Sequence, residues 1–304
     1  MSALSPAVVA AVHDLELAAR LVVEGIRAGA HRSPFHGYSA EFQQHRPYRA
    51  GDDLKYLDWK ILARTDRLYS RQFRETTSLS AMIVLDTSMS MAFPEDGLSK
   101  FRYASIVAAA LAYLITTQGD AVGLMTMVDG ELSYIPARGG RPHLRALLAR
   151  LDRLEPGGRW QPDRVIARGA ELLRRRGLVI VLSDFYDDED ATHRALRRVV
   201  RSGHDVSIFQ ILSPAETAFP YHGDIAFEDL EAGERRVIAT AEVAQDYRSA
   251  VSAFLERCRT HAHRDGIDYT LLTTDAAPER SLREYLLRRS APRARGSGDQ
   301  RERR

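Results

Sequence analysis

The sequence predicts an α/β protein built on a doubly wound, mainly parallel sheet with helices on both faces. Two observations carry that reading. Short strand-like segments recur at Ala81–Asp86, Ala121–Val128, Leu178–Ser183, Asp205–Leu212 and Asp268–Leu272, and the apolar run of the first has the look of a strand buried on both faces. Helical stretches separate most of them, which implies right-handed crossovers and a twisted parallel sheet.

In chain order, Pro6 to Gly29 carries Val8, Val12, Leu15, Ala18, Val22 and Ile26 at helical spacing, and Gly29 suits a C-terminal stop. His31 to Asp66 has no sustained period, being crowded with Arg, Asp, His and aromatics. Leu68–Thr77 alternates like a strand. After strand Ala81–Asp86 comes helix Lys100–Gln118. Strand Ala121–Val128 joins Glu131–Pro136 through Asp129-Gly130, a two-residue hairpin signal. Helices near Pro142–Arg153 and Pro162–Arg176 lead to strand Leu178–Ser183, helix Asp190–Ser202 and strand Asp205–Leu212. A small hairpin follows, Ala226–Leu230 with Arg235–Ile238, then helix Ala241–Arg264, strand Asp268–Leu272 and helix Pro278–Arg289. The division is an N-terminal helix and polar extension at 1–78, packed on the core, an α/β domain at 79–289, and a basic tail at 290–304, read as disordered.

The chain has 304 residues, enough for a substantial core, with 44% hydrophobic and 28% charged residues. Its longest unbroken apolar run, Ile106 to Ile115, is too short to span a bilayer. Met1 to Ala19 lacks basic residues, unlike a secretory signal, and Cys258 is the only cysteine, so the expectation is a cytoplasmic protein without membrane insertion. The formal charge of +2 hides an acidic body, because seven arginines cluster between Arg288 and Arg304. A nucleic-acid-binding domain should carry a basic face of its own, so no nucleic-acid partner is expected.

Strand Ala81–Leu85 ends in Asp86-x-Ser88-x-Ser90, a carboxylate and two hydroxyls on one tight loop. These are hard oxygen donors suited to Mg²⁺, and open α/β folds place ligands at the carboxyl ends of their strands. Strand Val179–Leu182 ends the same way, in Ser183-Asp184. If the two strands are neighbours, two carboxylates converge, and a metal or a basic side chain should sit between them. The arrangement resembles the metal-ion-dependent adhesion site of von Willebrand factor A domains. That resemblance implies Asp86, Ser88, Ser90 and Asp184 as metal ligands, with Mg²⁺ or Mn²⁺ as the ion. The family completes its site with a Thr, often after Gly-Gly; here Gly157-Gly158 is followed by Arg159. Arg159 then either supplies a positive charge in place of the ion or points to solvent.

A second block reads Glu41-Phe42, Arg46, Tyr48, Gly51-Asp52-Asp53, Lys55, Asp58-Trp59-Lys60 and Ala63-Arg64. It resembles the signature of domain-of-unknown-function family 58, von Willebrand factor A-like proteins commonly encoded beside MoxR-type AAA+ ATPases. The likeness continues through Gly119-Asp120, Val122-Gly123-Leu124, Phe227–Glu234 and Gly266–Tyr269. It implies a von Willebrand factor A-like fold and a chaperone-like adaptor working with a MoxR-type ATPase on a protein client. Arg and aromatic residues are enriched at binding hot spots, so Arg46, Tyr48, Asp52, Asp53, Asp58, Arg64 and Arg159 are the expected partner contacts. Leu57 and Trp59 read as core anchors.

The chain has no His-Glu-x-x-His, no phosphate loop ending in Lys-Ser/Thr and no Gly-x-Ser-x-Gly elbow. His263-Arg264-Asp265 echoes a kinase catalytic loop, but the sequence contains no asparagine to hold the second metal. A non-enzymatic interaction module is therefore expected. The alternative is a metal-dependent phosphoester hydrolase using the strand-end aspartates, for which no general base can be singled out.

Overall fold

The computed structural model describes residues 12, 14–28, 41–47, 61–62, 64, 67–74, 79–94, 97–173, 175–186, 188–228 and 235–290. Helix α1 (Leu15–Ala28) precedes an antiparallel ribbon of β1 (Glu41–Pro47) and β2 (Tyr69–Arg74). The central sheet begins at β3 (Ser80–Leu85), followed by a 3₁₀ turn (Met89–Ala92) and α2 (Lys100–Thr117). Then come β4 (Ala121–Val128), β5 (Glu131–Arg138), α3 (Arg141–Asp152), α4 (Pro162–Glu171), β6 (Leu178–Ser183), α5 (Glu189–Arg201) and β7 (Asp205–Leu212). The chain continues with α6 (Pro214–Ala218), the hairpin β8 (Asp224–Glu228) and β9 (Arg235–Ala239), α7 (Thr240–Arg264), β10 (Asp268–Thr273) and α8 (Pro278–Ser290).

The sheet has six strands in the order β10-β7-β6-β3-β4-β5. All neighbours are parallel except β5, which returns antiparallel to β4 through the Asp129-Gly130 turn. Because side chains alternate across a strand, each central strand feeds two cores. Ala81, Ile83 and Leu85 of β3 face one core with Leu178, Ile180 and Leu182 of β6. Met82 and Val84 face the other with Val179 and Val181. Helices α1, α2, α3 and α8 cover the first face; α4, α5 and α7 contribute to the second. The sheet is a mainly parallel α/β sheet covered on both faces, as the strand pattern predicts.

Helix α2 is buried almost all round, which is how a helix reads when it lies between a sheet and another helix. Its outer side meets α1, whose Leu15, Ala18, Ala19, Val22, Val23 and Ile26 are buried. Burying each larger side chain contributes about 1.5–3 kcal/mol, so α1 is part of the first core. On the other face α4 approaches closely because residue 169 is glycine: a Cβ there would lie 3.0 Å from Val84 Cγ2.

Two elements lie outside the sequence expectation. Strand β1 has no alternation of its own and is set by its pairing with β2, as strand propensity depends on context. Helix α6 is a single short turn, opened by the box Ser213-Pro-Ala-Glu216. Helix α4 also stops at Glu171, earlier than the expected Arg176. Trp59, Leu57 and the tail 291–304 lie outside the described residues.

Candidate functional site

The topology places one crevice at the carboxyl ends of β3 and β6. From β3 the chain crosses to β4 on one side; from β6 it crosses to β7 on the other. The crossover helices α2 and α5 leave toward opposite faces, which is the switch point where doubly wound sheets bind ligands. Asp86 and Asp184 follow these two strands directly, and neither side chain is accessible to solvent.

Asp86 is held by its own loop and by the neighbouring strand. Its Oδ1 accepts from Ser88 N–H at 2.8 Å, and its Oδ2 accepts from the Ser183 hydroxyl at 2.5 Å. The Ser88 and Ser90 hydroxyls lie 3.0 Å apart. The Thr87 hydroxyl bonds the Met127 carbonyl, and the Thr87 carbonyl accepts from Gly157 N–H at 2.7 Å, which fastens the Gly157-Gly158 loop to the site. Burial and the nearby Asp184 charge push the Asp86 carboxyl up to about 8, against the smaller effect of the Ser183 and Ser88 hydrogen bonds.

Asp184 has a different partner. Lys100 Nζ donates to Asp184 Oδ2 at 2.7 Å and to Glu216 Oε1 at 2.5 Å, and Lys100 is 1% exposed. Glu216 also closes the capping box of α6, its Oε2 accepting from Ser213 N–H at 2.7 Å. Burial raises the Glu216 carboxyl and Lys100 opposes that rise. The ammonium lies 4.8 Å from the Tyr186 ring centroid, and Tyr186 stacks on Phe254 at 5.6 Å. Behind the cluster, Gln210 Nε2 donates to the Asp184 carbonyl at 3.0 Å, and Tyr269 donates to Gln210 Oε1 at 2.8 Å. That buried chain fixes the loop after β6 against β7 and β10.

The structure thus brings together Asp86, Ser88, Ser90 and Asp184. The positive charge beside Asp184 comes from Lys100, whereas Arg159 is exposed on the neighbouring loop. This donor set does not suit a resident divalent ion. Asp184 Oδ2, where the second carboxylate would meet the ion, is already held by the Lys100 ammonium, and that ammonium is itself buried in the site. No cluster of three or more His, Cys, Asp or Glu suited to a metal occurs among the described residues. Arg46 lies on β1 and Arg64 is exposed, while Tyr48, Asp52, Asp53 and Asp58 lie outside the described residues.

Lys100 and Glu216 carry signals that the motif reading passes over. A lysine at the first position of a helix opposes the helix dipole, and α2 has no acidic residue in its first turn. A cation in that position needs carboxylates from elsewhere. Glu216 stands three residues after Ser213, the spacing of a capping box.

Strand order, crossovers and strand-end loops together define a von Willebrand factor A-like α/β module. The model of the family described as "Protein of unknown function DUF58" matches residues 44–258, and the chain belongs to that family. It is 28% identical over 281 residues to the protein Rv1480 of Mycobacterium tuberculosis, covering 91% of this chain and 85% of that one. It is 25% identical over 162 residues to YeaD of Bacillus subtilis, covering 51% of this chain and 38% of that protein. Among solved structures, BatB from Bacteroides thetaiotaomicron superposes with a TM-score of 0.50 at 16% identity, covering 70% of this chain and 99% of that one. Among the described residues no helix is long and apolar enough to cross a membrane.

Proposed function

We propose that this chain is a non-enzymatic interaction module of the cytoplasm that grips a protein partner with the loops at the carboxyl end of its sheet. The observation that carries this reading is the switch-point crevice itself. It holds a fastened cluster of carboxylates, hydroxyls and one ammonium, and its rim offers the exposed Arg159 and Tyr186. Ser183 donates to Asp86, but both side chains are buried, so that pair is closed to a substrate that a hydrolase would need to admit. Asp184, the ligand a phosphoester hydrolase would use, is engaged by Lys100. The resemblance of the 41–64 block to proteins encoded beside MoxR-type ATPases supports such an ATPase as partner, in a chaperone-like system acting on a protein client.

Co-precipitation of the purified chain with a MoxR-type ATPase tests the proposal, with and without nucleotide. Association is expected, and Arg159→Asp is expected to weaken it at least several-fold by reversing a rim charge. Absence of association under every nucleotide condition would remove the ATPase from the proposal. Turnover of a generic phosphoester by the purified chain, lost in Asp86→Ala, would replace the adaptor reading with the hydrolase one.

A further inference from the structure

We infer that Lys100 is the resident cation of the strand-end site, taking the place in its charge balance that a divalent ion would otherwise fill. The inference deepens the proposed function and rests on its reading of these loops as the binding site. Two carboxylic groups, Asp184 and Glu216, converge on one ammonium, and the wholly buried Asp86 neighbours Asp184. Carboxylates gathered this way need a counter-charge or a proton. The ammonium meets Asp184 and Glu216 at hydrogen-bonding distance on both sides, from the first residue of α2.

The placement is built by several parts of the fold. Ser99 caps α2, its side chain accepting from Arg102 N–H at 3.2 Å, and so sets where the Lys100 side chain begins. The capping box of α6 sets Glu216. Gln210 sets the Asp184 backbone from β7. The Tyr186 ring, with its negative face, and the Phe93 ring at 6.0 Å flank the ammonium. A lysine at a helix start, desolvated and facing its own dipole, is costly unless the acids around it need it. Here each of its two acids needs it, and a divalent ion would have to displace it or add charge to a site already balanced around Asp184.

The test uses the purified full chain alone, because the ATPase partner has its own requirement for Mg²⁺ with nucleotide. Mn²⁺ is titrated and read by the loss of free-ion electron paramagnetic resonance signal, in parallel with thermal unfolding in Mg²⁺. Wild type is expected to show no saturable binding up to millimolar Mn²⁺ and no shift in Tm with Mg²⁺. The second arm is Lys100→Ala, which leaves Asp184 and Glu216 without their cation and leaves room for a hydrated ion. Its Tm should fall, and millimolar Mg²⁺ or Mn²⁺ should recover part of the loss. One-to-one Mn²⁺ binding by wild type, abolished in Ser88→Ala, overturns the inference. So does a Lys100→Ala protein that is as stable as wild type, or a folded one that no divalent ion restabilises. The wild-type titration stands whether or not the variant folds. A failed co-precipitation leaves these outcomes untouched, so the two readings fail separately.

Discussion

Asp86 and Asp184 occupy equivalent places after neighbouring parallel strands, yet the fold neutralises them in opposite ways. Each is fully buried, and each accepts from the backbone N–H two residues on, Ser88 for Asp86 and Tyr186 for Asp184. They part at the second oxygen. Asp86 Oδ2 meets a neutral hydroxyl, and burial holds its carboxyl far above the ordinary range. Asp184 Oδ2 meets an ammonium. Burial and the Asp184 charge favour the protonated form of the Asp86 carboxyl, whereas Asp184 takes an ion pair. The local loop is shared; the charge state is set by what arrives from α2, β6 and α6.

The largest effect should come from the ion-paired side of the comparison. Lys100→Met keeps most of the side chain's volume but removes the charge, leaving Asp184 buried without a counter-ion and Glu216 nearly so. Breaking a buried pair from one side costs about 3–5 kcal/mol. Urea unfolding at pH 7 should therefore show a loss of that order, with an unchanged slope. A loss below about 1 kcal/mol would mean that Asp184 does not depend on Lys100 and that the two aspartates are more alike than the geometry indicates.

How much of this could be read in advance differs by level. The central strands were legible because residues 81–85 and 178–182 are apolar without interruption, and only burial on both faces produces that pattern. Asp86 and Asp184 were legible as a pair because both end such strands. Lys100 was not, because its partners lie 84 and 116 residues away and no local motif links them. The loop pattern leaves Arg159 either as the counter-charge or as a solvent-facing residue, and in the fold it is exposed. Long-range charge pairing is decided by topology, and a spacing rule sees only one loop at a time. Strand β1 was missed for a related reason, its conformation being set by a partner strand more than twenty residues away.

The proton-keeping side of the comparison predicts a pH dependence. Unfolded, Asp86 ionises near about 4; folded, its carboxyl is raised to about 8. Between those values the folded state holds a proton that the unfolded state has released. Stability from this group is therefore fully present below about pH 4, is lost as pH rises toward about 8, and is flat above that. Asp86→Asn, close in shape to the protonated acid, removes the titration. The difference between wild-type and Asp86→Asn unfolding free energies should change by about 1 kcal/mol per pH unit across the window, in the sense that the variant gains as pH rises. Titrating groups that do not interact with Asp86 cancel in the difference. A flat difference profile would show that Asp86 is ionised in the fold and that both aspartates carry charge.

The smallest effect concerns Arg159, which the loop pattern leaves open as either counter-charge or solvent-facing residue. Arg159 is exposed, beside the glycines whose backbone is fastened to Thr87. If Lys100 supplies the cation, removing Arg159 changes the charge state of neither aspartate. Arg159→Ala should then alter unfolding free energy by no more than about 0.5 kcal/mol, the usual range for an exposed position, while weakening partner capture. The sharper measurement is the pH profile of the variant, which should superpose on that of wild type. A stability loss beyond about 1 kcal/mol, or a profile displaced along the pH axis, would give Arg159 a share of the counter-charge now assigned to Lys100 alone.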